Sequence, residues 1–411
     1  MPVCLMWRFT KSQYPGLNSE REHTFFMNDD LTDLNVLYDA FLASMKSSAW
    51  KEEPQRFEVD FLTEIVKLKH EIASKTYKTL PGIEFTLRER GKVRHIHGSR
   101  MRDRVVRHAF CDGELTEALQ PFLIWNNGAC QKGKGLTFAR KMFERDLHNY
   151  WLKYRTNEGY IGFVDFSRFY DNIRHDKIRD GIMPKLSENG KWLLDENLRH
   201  FRIDVSCMSD EEYAECLNKK FDSLKYYNEI PFSARTGEKY MPKGVDIGDQ
   251  ISQNIGIYFP TPIDNYVKIV RGCRFYGRYS DDMYVISPDR DEVLSIIAGI
   301  REKAAELGLF LNERKTHIAK LSETFRFLQT KYFLTADGKV VKRINPKNII
   351  REKRKLKSYK RLLDAGRMEY ADIEMSAKSW MGNYYRLMSK DQIRHMKEHY
   401  RTLFGKELQW K

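Results

Sequence analysis

Apolar and polar positions alternate along this chain in three rhythms. The first is helical and covers residues 31–80. In FLTEIVKLKHEIASKTY (61–77), Phe61, Ile65, Leu68 and Ile72 fall on one face, and LPG at 80–82 stops the pattern. The second has period two: IEFTLRERGKVRHIHG (83–98) alternates about a Gly91-Lys92 turn and predicts a β-hairpin with basic edges. Residues 101–119 read as helix, NNGACQKGKGL (126–136) as a loop, and a further helix runs to about Lys153. The third rhythm is a short continuous apolar run. YIGFVDF (160–166) predicts a central buried strand from which Asp165 emerges. FYGRYSDDMYVIS (275–287) predicts the two arms of a hairpin with Asp281 and Asp282 at its bend. GVDIGDQISQNIGIYF (244–259) opens as a turn and continues as a helix. DEVLSIIAGIREKAAELGLFLN (291–312) is an amphipathic helix closed by Gly308, with a strand after it. Residues 181–240 are weakly periodic and read as helices and loops. No repeat or low-complexity tract interrupts the chain, and a basic, helical C-terminal segment begins near residue 335.

A chain of 411 residues supports two or three compact units, and 41% hydrophobic content suits a globular fold. No apolar run approaches the roughly 20 residues that span a bilayer. The start, MPVCLMWRFTKSQYPG, shows no apolar region followed by small residues at a cleavage site, so no signal peptide and a cytoplasmic location are expected. Six cysteines, at 4, 111, 130, 207, 216 and 273, form no CxxC pair, which argues for reduced thiols. The net charge of +14 changes the picture more, because a polyanion becomes the expected partner. Between Lys331 and Arg367 stand 13 Lys or Arg against Asp337, Glu352 and Asp364, whereas a solvated helix face mixes the signs.

An isolated Asp-Asp pair is ordinarily a turn. Here Asp165 stands at another strand end, and carboxylates converging from different strands make a site for hard divalent cations, which bridge triphosphate oxygens and activate a 3′-hydroxyl. Without a cation such neighbours repel and raise their own pKa values. QKGKG (131–135) offers Lys132 and Lys134 to phosphates on a backbone that glycine lets approach closely, a weak signal alone. His95 and His97 form an H-x-H pair with no third ligand visible, which argues against a metal there.

Taken together, these segments resemble the reverse transcriptases, in particular the bacterial ones related to group II introns and diversity-generating retroelements. YSDD (279–282) is similar to the family's Y-x-D-D box and VDFSRFYDNI (164–173) to its first palm motif. IGDQISQ (247–253) resembles the nucleotide-gripping motif in its I-G-x-x-x-S-Q form, and LGLFLNERKTHI (307–318) resembles the following motif with its lysine. GKVRHIHGSRMRDRVVRHAF (91–110) is similar to the fingers segment, and FRFLQTKYF (325–333) to the primer grip, with Gln329 where relatives often have glycine. SAKSWMGNYYRLMS (376–389) looks like the helical thumb, whose Trp380, Tyr384 and Tyr385 suit a packed core better than base stacking. The motifs run in family order from about residue 35 to residue 390.

The resemblance implies an α+β right-hand polymerase: an N-terminal helical extension and fingers over 1–80, fingers over 81–160, a palm with an antiparallel sheet over 161–334 carrying an insertion at 181–240, and a basic helical thumb over 335–411. It implies that Asp165, Asp281, Asp282 and the backbone carbonyl of Phe166 hold two Mg²⁺ ions, with Mn²⁺ as an alternative. Lys315 matches the lysine that protonates pyrophosphate. Arg88, Arg94, Tyr170, Gly248, Ser252 and Gln253 match positions around the incoming nucleotide. The ring of Tyr170 would clash with a 2′-hydroxyl and select dNTPs. Ile247 replaces the commoner glutamine of Q-G-x-x-x-S-P, from which relaxed discrimination follows as an expectation. Lys342, Arg343, Arg351, Lys353, Arg354 and Lys357 would track nucleic acid.

The implied activity is RNA-directed DNA synthesis on a structured non-coding RNA template, extending a primer into DNA product, with an accessory protein as a further partner and no membrane. An HNH nuclease or RNase H after the thumb is not expected, and the retron signatures N-A-x-x-H and V-T-G are missing from these 411 residues. Antiviral defence is the first setting expected and a diversity-generating element the second. Template-independent or protein-primed synthesis, an RNA-making polymerase and a non-catalytic RNA-binding scaffold remain as rivals; Tyr170 argues against the RNA-making enzyme and the intact aspartates against the scaffold.

Overall fold

The computed structural model describes residues 31–46, 48–89 and 92–409. Residues 1–30 of the expected extension, Cys4, and Gly91 of the hairpin turn lie outside the described residues. The helical rhythm of the first segment gives helices Leu34–Met45, Glu52–Val59 and Phe61–Ala73, and Ile65, Leu68 and Ile72 are its buried face. The period-two segment forms β1 (Ile83–Glu89) and β2 (Lys92–Gly98), paired antiparallel with Leu87 opposite Arg94 and Arg88 opposite Val93. Helix Met101–Phe110 continues through a π turn, Cys111–Leu115, into Thr116–Leu119, and helix Leu136–Tyr154 follows the glycine- and lysine-rich loop.

The continuous apolar run becomes β3 (Tyr160–Val164). Two strands of two residues each, β4 (Ile203–Asp204) and β5 (Tyr240–Met241), pair within the 181–240 segment. They add a small sheet to the helices Asp210–Asn218 and Ser223–Glu229, around a core of Val205, Phe221, Tyr226 and Met241, while the helix Glu188–His200 packs Leu193, Leu194 and Leu198 into the main core. The hairpin strands are β6 (Phe275–Tyr279) and β7 (Asp282–Ser287), followed by β8 (His317–Lys320). These four build one antiparallel sheet in the order β6, β7, β3, β8. Phe163 stands opposite Tyr284 on one side and His317 on the other.

Successive side chains of a strand point to opposite faces, so this sheet sorts its residues between two cores. Ile161, Phe163, Tyr284 and Ile286 pack with Phe143, Leu147 and Tyr150 of the helix Leu136–Tyr154. Val164, Tyr276, Met283 and Val285 pack with Val293, Ile296 and Ile297 of the helix Arg290–Glu306. Gly162 allows that second helix close: a Cβ there would lie 2.7 Å from Val293 Cγ1. The sheet is thereby clamped between helical layers, and its ends are free to carry polar groups.

β9 (Phe325–Phe327), β10 (Thr330–Leu334) and β11 (Val340–Ile344) form a second antiparallel sheet. The helical C-terminal segment therefore starts at Pro346 and not near 335, because residues 340–344 complete the hairpin with β10. Helices Pro346–Asp364, Tyr370–Tyr384 and Lys390–Phe404 enclose their own core of Leu356, Ile373, Ala377, Met381, Met396 and Tyr400.

The hairpin β6–β7 is anchored by a buried ion pair. Arg278 Nε donates to both oxygens of Asp264 at 2.9 Å, both side chains are fully buried, and Tyr276 Oη donates to Asp264 at 2.7 Å. Removing one partner of such a pair strands the other's charge in the core. Asp264→Ala is expected to cost about 3–5 kcal/mol, to be measured as a fall in the urea midpoint at unchanged slope.

Candidate active site

Three carboxylates meet at one end of the four-stranded sheet. Asp165 follows the last residue of β3 and is largely buried. Its carbonyl accepts from Asn312 N at 2.7 Å, and Ser167 N donates to Phe310 O at 2.7 Å, so the chain after β3 stays in extended register with the 310–312 segment. Phe166 stands opposite Leu311 in that pairing without exchanging hydrogen bonds with it, which directs the Phe166 carbonyl away from that segment, toward the hairpin side. On the hairpin Tyr279 pairs with Asp282, so the bend consists of Ser280 and Asp281, with Ser280 in the left-handed region at φ 56°. The expectation that both aspartates sit at the bend is corrected: Asp281 does, whereas Asp282 is the first rung of β7. One aspartate is therefore displayed by the turn and the other by the pleat.

Charge accumulation shows in the titration of these groups. Burial, then the charge of Asp165, holds the Asp281 carboxyl above its ordinary range. Burial, then Asp281 and Asp165, pushes Asp282 up to about 7. Lys315 Nζ lies 2.6 and 2.5 Å from the two oxygens of Asp165, so an ammonium already occupies a cation's position there. An all-oxygen donor set with surplus negative charge, already drawing in a cation, fits a hard divalent metal.

Around the carboxylates the predicted residues divide. Tyr170 comes to the bend: it hydrogen-bonds Ser280, senses the charge of Asp281, and burial raises its phenol to about 12. Its ring lies against Gly256, where a Cβ would sit 3.1 Å from Oη. Gly248 has φ 96° with open space beside it, directly before Asp249, whose side chain caps the helix Gln250–Tyr258. Gln253 is half-buried on that helix, but Ser252 is fully buried on its inner side. Ser252 is thus turned into the core while Gln253 reaches the surface, because the helix presents neighbouring residues about 100° apart.

Arg94 and Arg88 point to opposite faces of the hairpin ribbon, as their pairing with Leu87 and Val93 requires. The face of Arg94 also carries Lys92, whose charge reaches Asp281 and lowers its pKa. Arg88 shares the other face with His95 and His97, away from the carboxylates. Lys92 was missed in the sequence, although the period-two pattern places it on the face of Arg94.

Lys132 is exposed, whereas Lys134 donates to the Trp125 carbonyl at 3.0 Å and lies 4.7 Å over its ring. Lys342 pairs with Glu144 at 2.9 Å, and Lys353 is half-buried. Arg343 is exposed on β11. Arg351, Arg354 and Lys357 are exposed, and with Lys347 and Arg361 they form a stripe spanning about 120° of the helix Pro346–Asp364. None of these five has an ion-pair partner among the described residues. A second missed residue is Arg107, fully buried and paired with Asp249 at 2.5 Å, which braces the cap of the helix Gln250–Tyr258 from the fingers side.

A sheet presenting carboxylates from a strand end and a tight hairpin, clamped by helices, with a separate helical unit downstream, is the right-hand polymerase fold. Residues 91–332, more than half of the chain, match the family model described as reverse transcriptase (RNA-dependent DNA polymerase), and the chain belongs to that family. No curated protein matches it by sequence. Among solved structures, the telomerase from Candida albicans in complex with a fragment of telomeric RNA is similar at 10% identity and a TM-score of 0.45, over 80% of this chain and 55% of that one. The chain thus spans about half the length of that protein. No described helix is long and apolar enough to cross a membrane.

The raised pKa of Asp282 has a sign that can be tested. The folded carboxyl binds its proton more tightly than the unfolded one, so folding is favoured at acid pH and that contribution is lost as pH rises from about 4 to about 7. In chelator at pH 8, Asp282→Asn is expected to be more stable than the parent by about 1–3 kcal/mol. Chemical denaturation should show the gap closing at pH 5 and on adding Mg²⁺.

Proposed function

We propose that this chain is an RNA-directed DNA polymerase that adds dNTPs to a primer 3′ end with two Mg²⁺ ions, Mn²⁺ serving as an alternative. The observation that carries the reading is the convergence of Asp165, Asp281 and Asp282 with Lys315 at the sheet end. Asp165, Asp281, Asp282 and the carbonyl of Phe166 would hold the ions, which when bound supply Lewis acidity to the triphosphate and to the attacking hydroxyl. Lys315 places an ammonium beside Asp165, where a proton for the leaving pyrophosphate is needed. Lys92 and Arg94 face the carboxylates from the fingers ribbon and would orient triphosphate oxygens. Tyr170 closes the space beside the bend and would exclude a 2′-hydroxyl, and Gly248 and Gln253 would border the nucleotide. The stripe of Lys347, Arg351, Arg354, Lys357 and Arg361, with Arg343 and Lys132, would follow the duplex backbone.

The biological setting we favour is bacterial antiviral defence with a dedicated non-coding RNA as template, in the cytoplasm. The I-G-x-x-x-S-Q form and the folded 181–240 insertion support it. The same I-G-x-x-x-S-Q form supports a second reading, the polymerase of a diversity-generating element.

The experiment is labelled-nucleotide incorporation by protein purified from cells carrying its native flanking DNA. Incorporation of dNTPs should require intact RNA and fall by about 10³-fold in Asp281→Asn, the equivalent of the several kcal/mol that metal stabilisation supplies. RNase-resistant incorporation would indicate untemplated synthesis, and use of rNTPs alone would overturn the role given to Tyr170. Tyr170→Ala is expected to raise the rNTP-to-dNTP ratio of kcat/KM by about 10–100-fold, read by single-nucleotide extension.

A further inference from the structure

Among the described residues, one group of three His, Cys, Asp or Glu brings all its ligand atoms within 4.8 Å of one another: His97, His200 and Asp246. His97 lies on β2, His200 ends the helix Glu188–His200 of the insertion, and Asp246 stands just before the Ile247-Gly248 turn. His97 Nδ1 is 2.9 Å and His200 Nε2 is 3.7 Å from the same oxygen of Asp246. Ligand atoms bound to one zinc ion at 2.0–2.1 Å in a tetrahedron stand about 3.3 Å apart, which lies between these two separations; the rings of His97 and His200 stack at 4.5 Å between centroids and 21° between planes, so one ring must turn for both nitrogens to aim at a shared ion.

Three further observations point to a ligand. The His200 side chain is 5% exposed and its Nε2 has no hydrogen-bond partner, which is costly for a buried ring nitrogen. A cavity of about 30 Å³ adjoins all three residues and has room for a water as fourth ligand. The edge of His97 that carries Nε2 packs on Gly82, where any Cβ would collide with it, so the ring is fixed with Nδ1 toward Asp246. The neighbouring cation, Arg107, is already matched by Asp249.

We propose that His97, His200 and Asp246 bind one divalent transition metal of zinc character, distinct from the polymerase carboxylates, and that it fastens the fingers hairpin to the insertion and to the nucleotide-gripping loop. Two imidazoles and one carboxylate favour Zn²⁺ over Mg²⁺, which prefers oxygen donors and retains its waters. His95 takes no part: its ring stacks on Tyr227 at 3.7 Å between centroids. The site joins positions 97, 200 and 246, too far apart in the chain for a local sequence pattern to mark it.

The test is binding of Zn²⁺, and of Co²⁺ as its spectroscopic substitute, to metal-stripped full-length protein in excess Mg²⁺. The wild type should take up one equivalent of Zn²⁺ per chain and melt at a higher temperature with it. With Co²⁺ it should give the intense visible absorption of four-coordinate cobalt. His200→Gln and Asp246→Asn should each weaken binding by about 100-fold or more and abolish the cobalt band, while Asp281→Asn retains both. Circular dichroism of the stripped variants separates lost binding from lost folding, and the wild-type result decides the matter if a variant fails to fold. No tight equivalent in the wild type, six-coordinate cobalt, or binding that survives in His200→Gln and disappears in Asp281→Asn would each overturn the proposal.

Discussion

Three like charges must be held within reach of one another at the end of one sheet, and their mutual repulsion is the constraint around which this molecule is organised. Repulsion of this kind spreads side chains apart unless the backbone leaves them nowhere to go. Here β3 is sandwiched between β7 and β8, the bend between β6 and β7 is only Ser280 and Asp281, and the hairpin is bolted to the helix Thr261–Asn265 through Arg278 and Asp264. Gly162 lets the helix Arg290–Glu306 rest directly on the sheet behind the site. Rigidity behind the carboxylates converts an unfavourable charge arrangement into affinity for cations, because the repulsion is relieved only when positive charge arrives.

The fingers ribbon is attached to this platform by polar contacts rather than by a core. Its odd-numbered β2 face meets the insertion, where His95 stacks on Tyr227 and Arg235 reaches Glu84 at 3.2 Å, and on the same face His97 Nδ1 donates to the Asp246 carboxylate at 2.9 Å. Behind it Arg107 and Ser99 both reach Asp249, the cap of the helix Gln250–Tyr258. The insertion is therefore a bracket between fingers and palm. Polar contacts of this kind are directional yet exchange with water at little net cost, so such a bracket sets the ribbon's position while leaving it responsive to what binds on its other face.

The parts legible in the sequence were those written in short-range pattern. Periodicity predicted β1, β2, β3 and the β6–β7 hairpin, since alternation and continuous apolar runs report local burial directly. Asp165, Asp281 and Asp282 were legible because charge in an apolar strand has few structural uses. What stayed hidden depended on partners distant in the chain. The inward turn of Ser252, the reach of Lys92 to Asp281 and the pairing of Arg107 with Asp249 follow from packing geometry, whereas the separation of Arg88 from Arg94 follows from the register of the hairpin. The two-residue strands β4 and β5 were below the length at which alternation can be seen, and β11 was hidden because Lys342 and Arg343 stand within it and read with the basic tract that follows.

The stripe along the helix Pro346–Asp364 leaves five cations on one face while the opposite face packs in the core of the C-terminal unit. A polyanion lying on that face would displace condensed counterions, about one for each phosphate neutralised, so its hold would weaken steeply as ionic strength rises. Cations held by the largely buried carboxylates at the sheet end would be screened much less. Ionic strength would then shorten the stretch copied in each encounter well before it slows the addition of a single nucleotide.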